Sequence, residues 1–199
     1  MRLAPRRVRT WTIARAPVID PVAAVFSVAG ELSITASVIL IDALLSSADN
    51  YPGLLPGRPR ISRDEITTRL AEWGRFRGKR TIRAALERAR EGVESPKETE
   101  TRLLIVNAGL PEPVVQFELR DDNRVVARMD LAYPELQIGI EYEGDGHRTD
   151  RAQWRRDIQR QRDLEDRGWI VVRLTQHDLG AGAASFLARL RRAIASRQA

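Results

Sequence analysis

Four residues in one short stretch have the types and spacing for chemistry: Asp130, Glu141, Glu143 and His147, in "ARMDLAYPELQIGIEYEGDGHR" (127–148). The stretch otherwise reads as buried β-structure, and carboxylates are rarely buried unless they are paired or bind a metal. Side chains alternate between faces along a strand, so Glu141 and Glu143 share a face and stand roughly 7 Å apart. Leu136, Ile138, Ile140 and Tyr142 take the other face, and Gly139 is expected to leave the acidic face open to an approaching backbone. A hairpin through "YPE" would bring Asp130 opposite Glu141. Three carboxylates so placed raise one another's pKa unless a cation joins them, and oxygen donors select Mg²⁺ or Mn²⁺. Such an ion polarises a phosphoryl oxygen and activates water, and a nearby imidazole moves a proton at neutral pH. The same spacing also fits a solvated strand face whose acids oppose arginines across the sheet.

The elements that must position these residues follow from caps, breakers and periodicity. Ser95, Pro96 and Gly109 have the N-cap, first-turn and stop positions of a helix over "SPKETETRLLIVNAGLP". Strands are expected at "PVVQFEL", "RVVARMDLAY" and "LQIGIEYE", then a long helix ended by Gly168, a strand "WIVVRLT" and a closing helix "SFLARLRRAIA". The order from Ser95 is α-β-β-β-α-β-α, an α+β (or α/β) pattern. Upstream, "RTWTIAR" reads as a strand. Two helices follow Asp20, then a Pro- and Gly-rich loop, a helix capped by Ser62 with Glu65 at capping-box spacing, and a short basic helix. The boundary is expected near residues 91–96, which divides the chain into a basic, mainly helical region (1–92) and a second domain (93–199).

Charge follows the same division. The net charge is +6, from 33 basic and 27 acidic residues. Residues 1–90 carry 16 basic and 8 acidic side chains, and residues 91–199 carry 17 and 19. A basic platform beside an acidic pocket suits a protein that brings metal ions to a polyanion. Arginine accounts for 31 of the 33 basic residues, and a GC-rich genome explains that choice over lysine but not the positive sum. The absence of cysteine excludes disulfides and thiolate metal sites. No apolar run reaches eighteen residues and no signal peptide is evident, so no membrane partner and a cytoplasmic location are expected.

With these residues in view, "SPKETETRLLIVNAGLPEP", "VVARMDLAYPELQIGIEYEGDGHR" and "RRDIQRQRDLEDRGWIVVRLT" together resemble a bacterial family of endonuclease-domain proteins. That family is common in actinobacteria and related to the very-short-patch-repair endonucleases. The resemblance covers about residues 93–180 and implies a restriction-endonuclease-like core, α-β-β-β-α-β. The superfamily pattern is an Asp, then Glu-x-Lys on the next strand. Asp130 matches the Asp, Glu141 the Glu, and Glu143 stands in the lysine position, where this family usually has aspartate. The resemblance also matches His147 to a histidine that helps activate the nucleophile, and Glu98 to a first-helix glutamate near the metal. It implies a metal-dependent DNA endonuclease or nickase with Asp130 and Glu141 as primary ligands of Mg²⁺ or Mn²⁺, Glu143 and Glu98 as outer or second-metal ligands, and His147 as proton-transfer group. Arg102, Arg148, Arg151, Arg155 and Arg156 are expected to hold phosphates. The rival is a catalytically inactive nuclease-like module that binds DNA or regulates, in a toxin–antitoxin or phage-defence setting. DNA is the expected partner, and a homodimer is one expected assembly. The N-terminal region resembles the middle segment of longer relatives that begin with a winged helix, expected to be absent here.

Overall fold

Four helices begin at side-chain caps that the sequence offers in a computed structural model of the chain, which describes residues 8–13, 15–47, 51, 60–122, 124–144 and 151–198. Side chains are described for all of these except Ile13 and residues 151–157. The chain is an α+β protein that divides into two compact units, Met1–Thr99 and Glu100–Ala199.

The first unit opens with an antiparallel hairpin of β1 (Thr10–Ile13) and β2 (Ala16–Ile19). Helices α1 (Pro21–Val28), α2 (Ile34–Leu45), α3 (Arg63–Glu72) and α4 (Lys79–Arg88) follow. Asp20, Ser33 and Ser62 cap the first three by accepting the N–H of Ala23, Ala36 and Glu65. Phe26, Trp73 and Phe76 form an aromatic cluster in this unit's core, with ring centroids 5.3–6.1 Å apart. Asp42, which interrupts the apolar run of α2, is fully buried and satisfied. Its oxygens accept the Arg90 N–H at 2.7 Å and the Thr99 hydroxyl at 2.8 Å. Helix α5 (Pro96–Asn107) starts as expected, with the Glu98 N–H donating to Ser95 Oγ at 3.2 Å, and the division between the units falls inside it.

The second unit is built on a four-stranded sheet, β3 (Val114–Asp121), β4 (Arg124–Tyr133), β5 (Ile138–Tyr142) and β6 (Ile170–Leu174), ordered as numbered. The first three strands are antiparallel, and β6 runs parallel to β5. A parallel neighbour needs a crossover, which the long helix α6 (Arg151–Asp166) supplies. Gly168 at φ 77° lets the chain turn from α6 into β6. Helix α7 (Ala183–Gln198) closes the chain. One sheet face packs Leu131, Ile140, Val172 and Leu174 against Ile105 of α5 and Phe186, Leu190 and Ile194 of α7. The opposite face packs Ala127, Met129, Ala132 and Trp169 against Leu164 of α6.

The expected α-β-β-β-α-β-α order is therefore observed, with one shift. The third strand starts at Ile138 rather than Leu136, because Pro134–Leu136 form a single 3-10 turn and Gln137 is left-handed at φ 52°. Among the described residues no helix is long and apolar enough to cross a membrane.

Candidate metal and phosphate site

The site of interest begins with an irregularity in β4. Ala127 and Met129 pack toward α6, yet Leu131 and Tyr133 pack toward α7. A regular strand would keep all four on one side, so the alternation reverses between Met129 and Leu131, at Asp130. The partner strand is irregular at the same level. Val115 pairs with Leu131 and Phe117 with Met129, while Gln116 between them takes φ 48°, the left-handed region that non-glycine residues seldom adopt.

On its other side, β4 pairs antiparallel with β5 through Leu131↔Ile140, which leaves Asp130 one step past the last pair, at the level of Glu141. The backbone N–H of Tyr142 donates to Asp130 Oδ2 at 2.9 Å. Burial pushes the Asp130 carboxyl above its ordinary range, and the Glu141 charge adds to the effect. The Tyr142 N–H and the Arg160 and Arg128 charges oppose the shift without cancelling it.

Glu141 is 7% exposed and points to the α6 side. Arg160 of α6 meets it with both guanidinium ends, Nη1 to Oε1 at 2.6 Å and Nη2 to Oε2 at 3.0 Å. Arg173 is the register partner of Glu141 on β6. Its Nε lies 3.8 Å from Glu141 Oε2 and 3.2 Å from Glu143 Oε1. Sharing Arg173 puts Glu141 and Glu143 on one side of the sheet, as the alternation requires. The half-exposed Glu143 lies just past the end of β5, and its N–H donates to Leu174 O at 2.8 Å.

The sequence expectation that Asp130 and Glu141 sit on adjacent antiparallel strands thus holds. Other expectations change. Gly139 does not leave an opening, because a Cβ there would lie 2.3 Å from Met129 Sδ, so the thioether already fills the space. Arg102 is no surface arginine. It is 1% exposed and donates to Glu112 Oε1 at 2.8 Å, and a guanidinium buried against a carboxylate offers nothing to a phosphate. Glu98 belongs to the first unit, where its Oε2 accepts the Glu94 N–H at 2.9 Å at the start of α5. That bond gives the buried carboxylate a helix-capping role. His147 and Arg148 lie outside the described residues. Arg151, Arg155 and Arg156 lie in the first turns of α6, where only the backbone is described. Among the described residues, no group of three or more His, Cys, Asp or Glu side chains is arranged to hold a metal ion.

Arg160 and Arg173 are the residues that sequence reasoning missed, although each left a signal. Arg160 stands four residues before the buried Leu164, which puts it on the sheet-facing stripe of α6. Arg173 alternates with the inward Val172 and Leu174, so it must share a face with the acids of the neighbouring strand.

Against known proteins, the chain is similar to two proteins of Mycobacterium tuberculosis, "Uncharacterized protein Rv2248" of strain H37Rv and "Uncharacterized protein MT2308" of strain CDC 1551. Each match is 31% identical over 133 residues, covering 67% of this chain and 49% of the relative. The chain therefore spans about half the length of the curated relatives it matches. No family model matches the chain. No solved structure matches it.

Proposed function

We propose that the C-terminal part of the chain, from about residue 93, is a metal-dependent DNA endonuclease or nickase domain with a restriction-endonuclease-like core. The observation that carries this reading is the Asp130–Glu141 juxtaposition. A partly buried carboxylate held above its ordinary pKa, one strand from the buried Glu141, is a costly arrangement that a cation would relieve. The donor set fits Mg²⁺ or Mn²⁺, because Mg²⁺ is usually held by one or two carboxylates with water and substrate phosphate completing its shell. Asp130 and Glu141 would be its ligands. When bound, such an ion polarises a phosphoryl oxygen and lowers the pKa of its water.

The chain's own groups have separate tasks in this scheme. The Tyr142 N–H fixes the orientation of the Asp130 carboxylate. Arg173 balances Glu141 and Glu143, and its guanidinium has the chemistry to hold a phosphate as well. His147 would take or give the proton. In the first unit, the exposed Arg80 and Arg83 of α4 add to a basic surface suited to non-specific contact with DNA, so binding should weaken as salt rises.

One observation favours a second reading, an inactive nuclease-like DNA-binding module. Both Glu141 oxygens are engaged by Arg160, and the position two residues on is Glu143 rather than lysine. Supercoiled and linear DNA incubated with Mg²⁺, Mn²⁺ or chelator separate the two. The first reading expects metal-dependent nicking or cutting that Asp130→Ala and Glu141→Ala each reduce at least about 100-fold, with DNA binding retained. DNA binding without cleavage under every metal condition would establish the second.

A further inference from the structure

Arg160 makes the shortest ion pair to the acidic pair, and its geometry is that of a ligand to Glu141. Two N–H donors at 2.6 and 3.0 Å cover both carboxylate oxygens, the fork-to-fork arrangement that makes Arg–carboxylate pairs strong. The two lone pairs of Glu141 that face Arg160 are taken, so a cation must either use the remaining ones beside a positive charge or displace the guanidinium. Arg173 is a weaker claimant, at 3.8 Å from the same carboxylate and nearer to Glu143. Nor is Arg160 locked in place. Its side chain is 32% exposed, and its other hydrogen bond is a 3.3 Å contact to the Arg128 carbonyl. A guanidinium released there keeps its charge and has the planar fork that matches phosphate oxygens.

We propose that Arg160 and a divalent cation compete for Glu141, so that loading the site releases the Arg160 guanidinium to a phosphate of the bound nucleic acid. The inference rests on the metal reading of Asp130 and Glu141. It makes Arg160 a positioning residue that couples two events, filling of the metal seat and presentation of a phosphate ligand. It also accounts for a glutamate pair without a lysine beside it. In the cation-free protein Arg160 balances the carboxylates, and in the loaded protein the same charge turns to the substrate.

Titration of the full chain with Mn²⁺ by calorimetry tests the competition without relying on cleavage. Arg160→Gln should bind Mn²⁺ roughly 10- to 100-fold tighter than wild type, since a charge-assisted pair no longer has to be broken. Arg160→Lys should fall between them, because an ammonium is a point charge rather than a fork. Glu141→Gln should lose the binding. A second readout follows DNA affinity of wild type and Arg160→Gln in Ca²⁺ and in chelator. The variant should lose more DNA affinity relative to wild type in Ca²⁺ than in chelator, and an equal loss in both overturns the release of Arg160 to phosphate. Should Arg160→Gln fail to fold, Arg160→Lys decides the matter, and affinity no tighter than wild type overturns the competition. Wild type that binds Mn²⁺ while Arg160→Gln binds it no tighter overturns the competition and leaves the metal reading standing. Absence of Mn²⁺ binding in every variant overturns both.

Discussion

Each unit contains a buried carboxylate paired with an arginine, and the two pairs are built differently. In the first unit Arg69 Nη2 lies 3.1 Å from Asp20 Oδ2, with side chains 5% and 2% exposed. Asp20 also accepts the Ala23 N–H at 3.0 Å and the Arg9 N–H at 2.8 Å, so one carboxylate caps α1 and anchors the segment before β1. Burial pushes its pKa up, but the Arg69 hydrogen bond and the two backbone donors outweigh that and hold it low. In the second unit Glu141 has its guanidinium, yet Asp130 beside it accepts one backbone N–H and stays raised. The first arrangement is complete without a further ion, and the second retains an electrostatic cost. A buried pair of either kind adds little net stability, because desolvation offsets the attraction. The informative quantity is therefore what remains uncompensated, and that singles out Asp130.

The comparison can be broken by removing each arginine. Arg69→Ala leaves Asp20 buried against one fewer charge, and should cost about 3–5 kcal/mol in urea unfolding. Arg160→Ala should cost on the order of 1 kcal/mol in chelator, because its guanidinium is partly in water and solvent can replace it. Equal losses would mean that the Glu141 pair is structural in the same sense as the Asp20 pair.

Packing beside the second pair gives the next largest effect. Gly139→Ala should destabilise by about 1–3 kcal/mol through the collision with Met129 Sδ, and Met129→Ala in the same chain should recover part of that loss. A harmless Gly139→Ala would mean that Met129 yields readily and that the acidic face can open.

The smallest effects are the most discriminating, because at neutral pH they have opposite signs and both fade in acid. The folded pKa of Asp20 lies below its unfolded value, so its contribution is present at neutral pH and is lost as pH falls through the folded pKa. Asp20→Asn should lower the melting temperature at pH 7, and the difference should shrink on acidification. The folded pKa of Asp130 lies above its unfolded value, so its favourable contribution exists only in acid and is lost as pH rises through the folded pKa. Asp130→Asn should therefore raise the melting temperature at pH 7 in chelator, with the gain again shrinking in acid. Destabilisation by Asp130→Asn at pH 7 would show that Asp130 is as well compensated as Asp20.

By itself the sequence determined the elements of this protein and the level at which its acids meet. Asp20, Ser33, Ser62 and Ser95 specify helix starts because their oxygens accept N–H groups within the next three residues, a purely local bond. Alternation along β5 puts Glu141 and Glu143 on one side, and the short connection after Tyr133 brings Asp130 to Glu141, since a tight hairpin sets the register. Only the tertiary structure decided which cations meet those acids. Arg160 reaches Glu141 from a helix nineteen residues away, and Arg173 from a parallel strand joined through that helix. Neither distance in sequence limits where a crossover helix turns its arginines. The reversal of faces at Asp130 was equally hidden: it coincides with a left-handed Gln116 in the partner strand, and no local pattern in β4 requires it. Arg102 and Glu98 show the same limit from the other side: their charge was plain, but whether each met water, a carboxylate or a helix end was set by what folded around them.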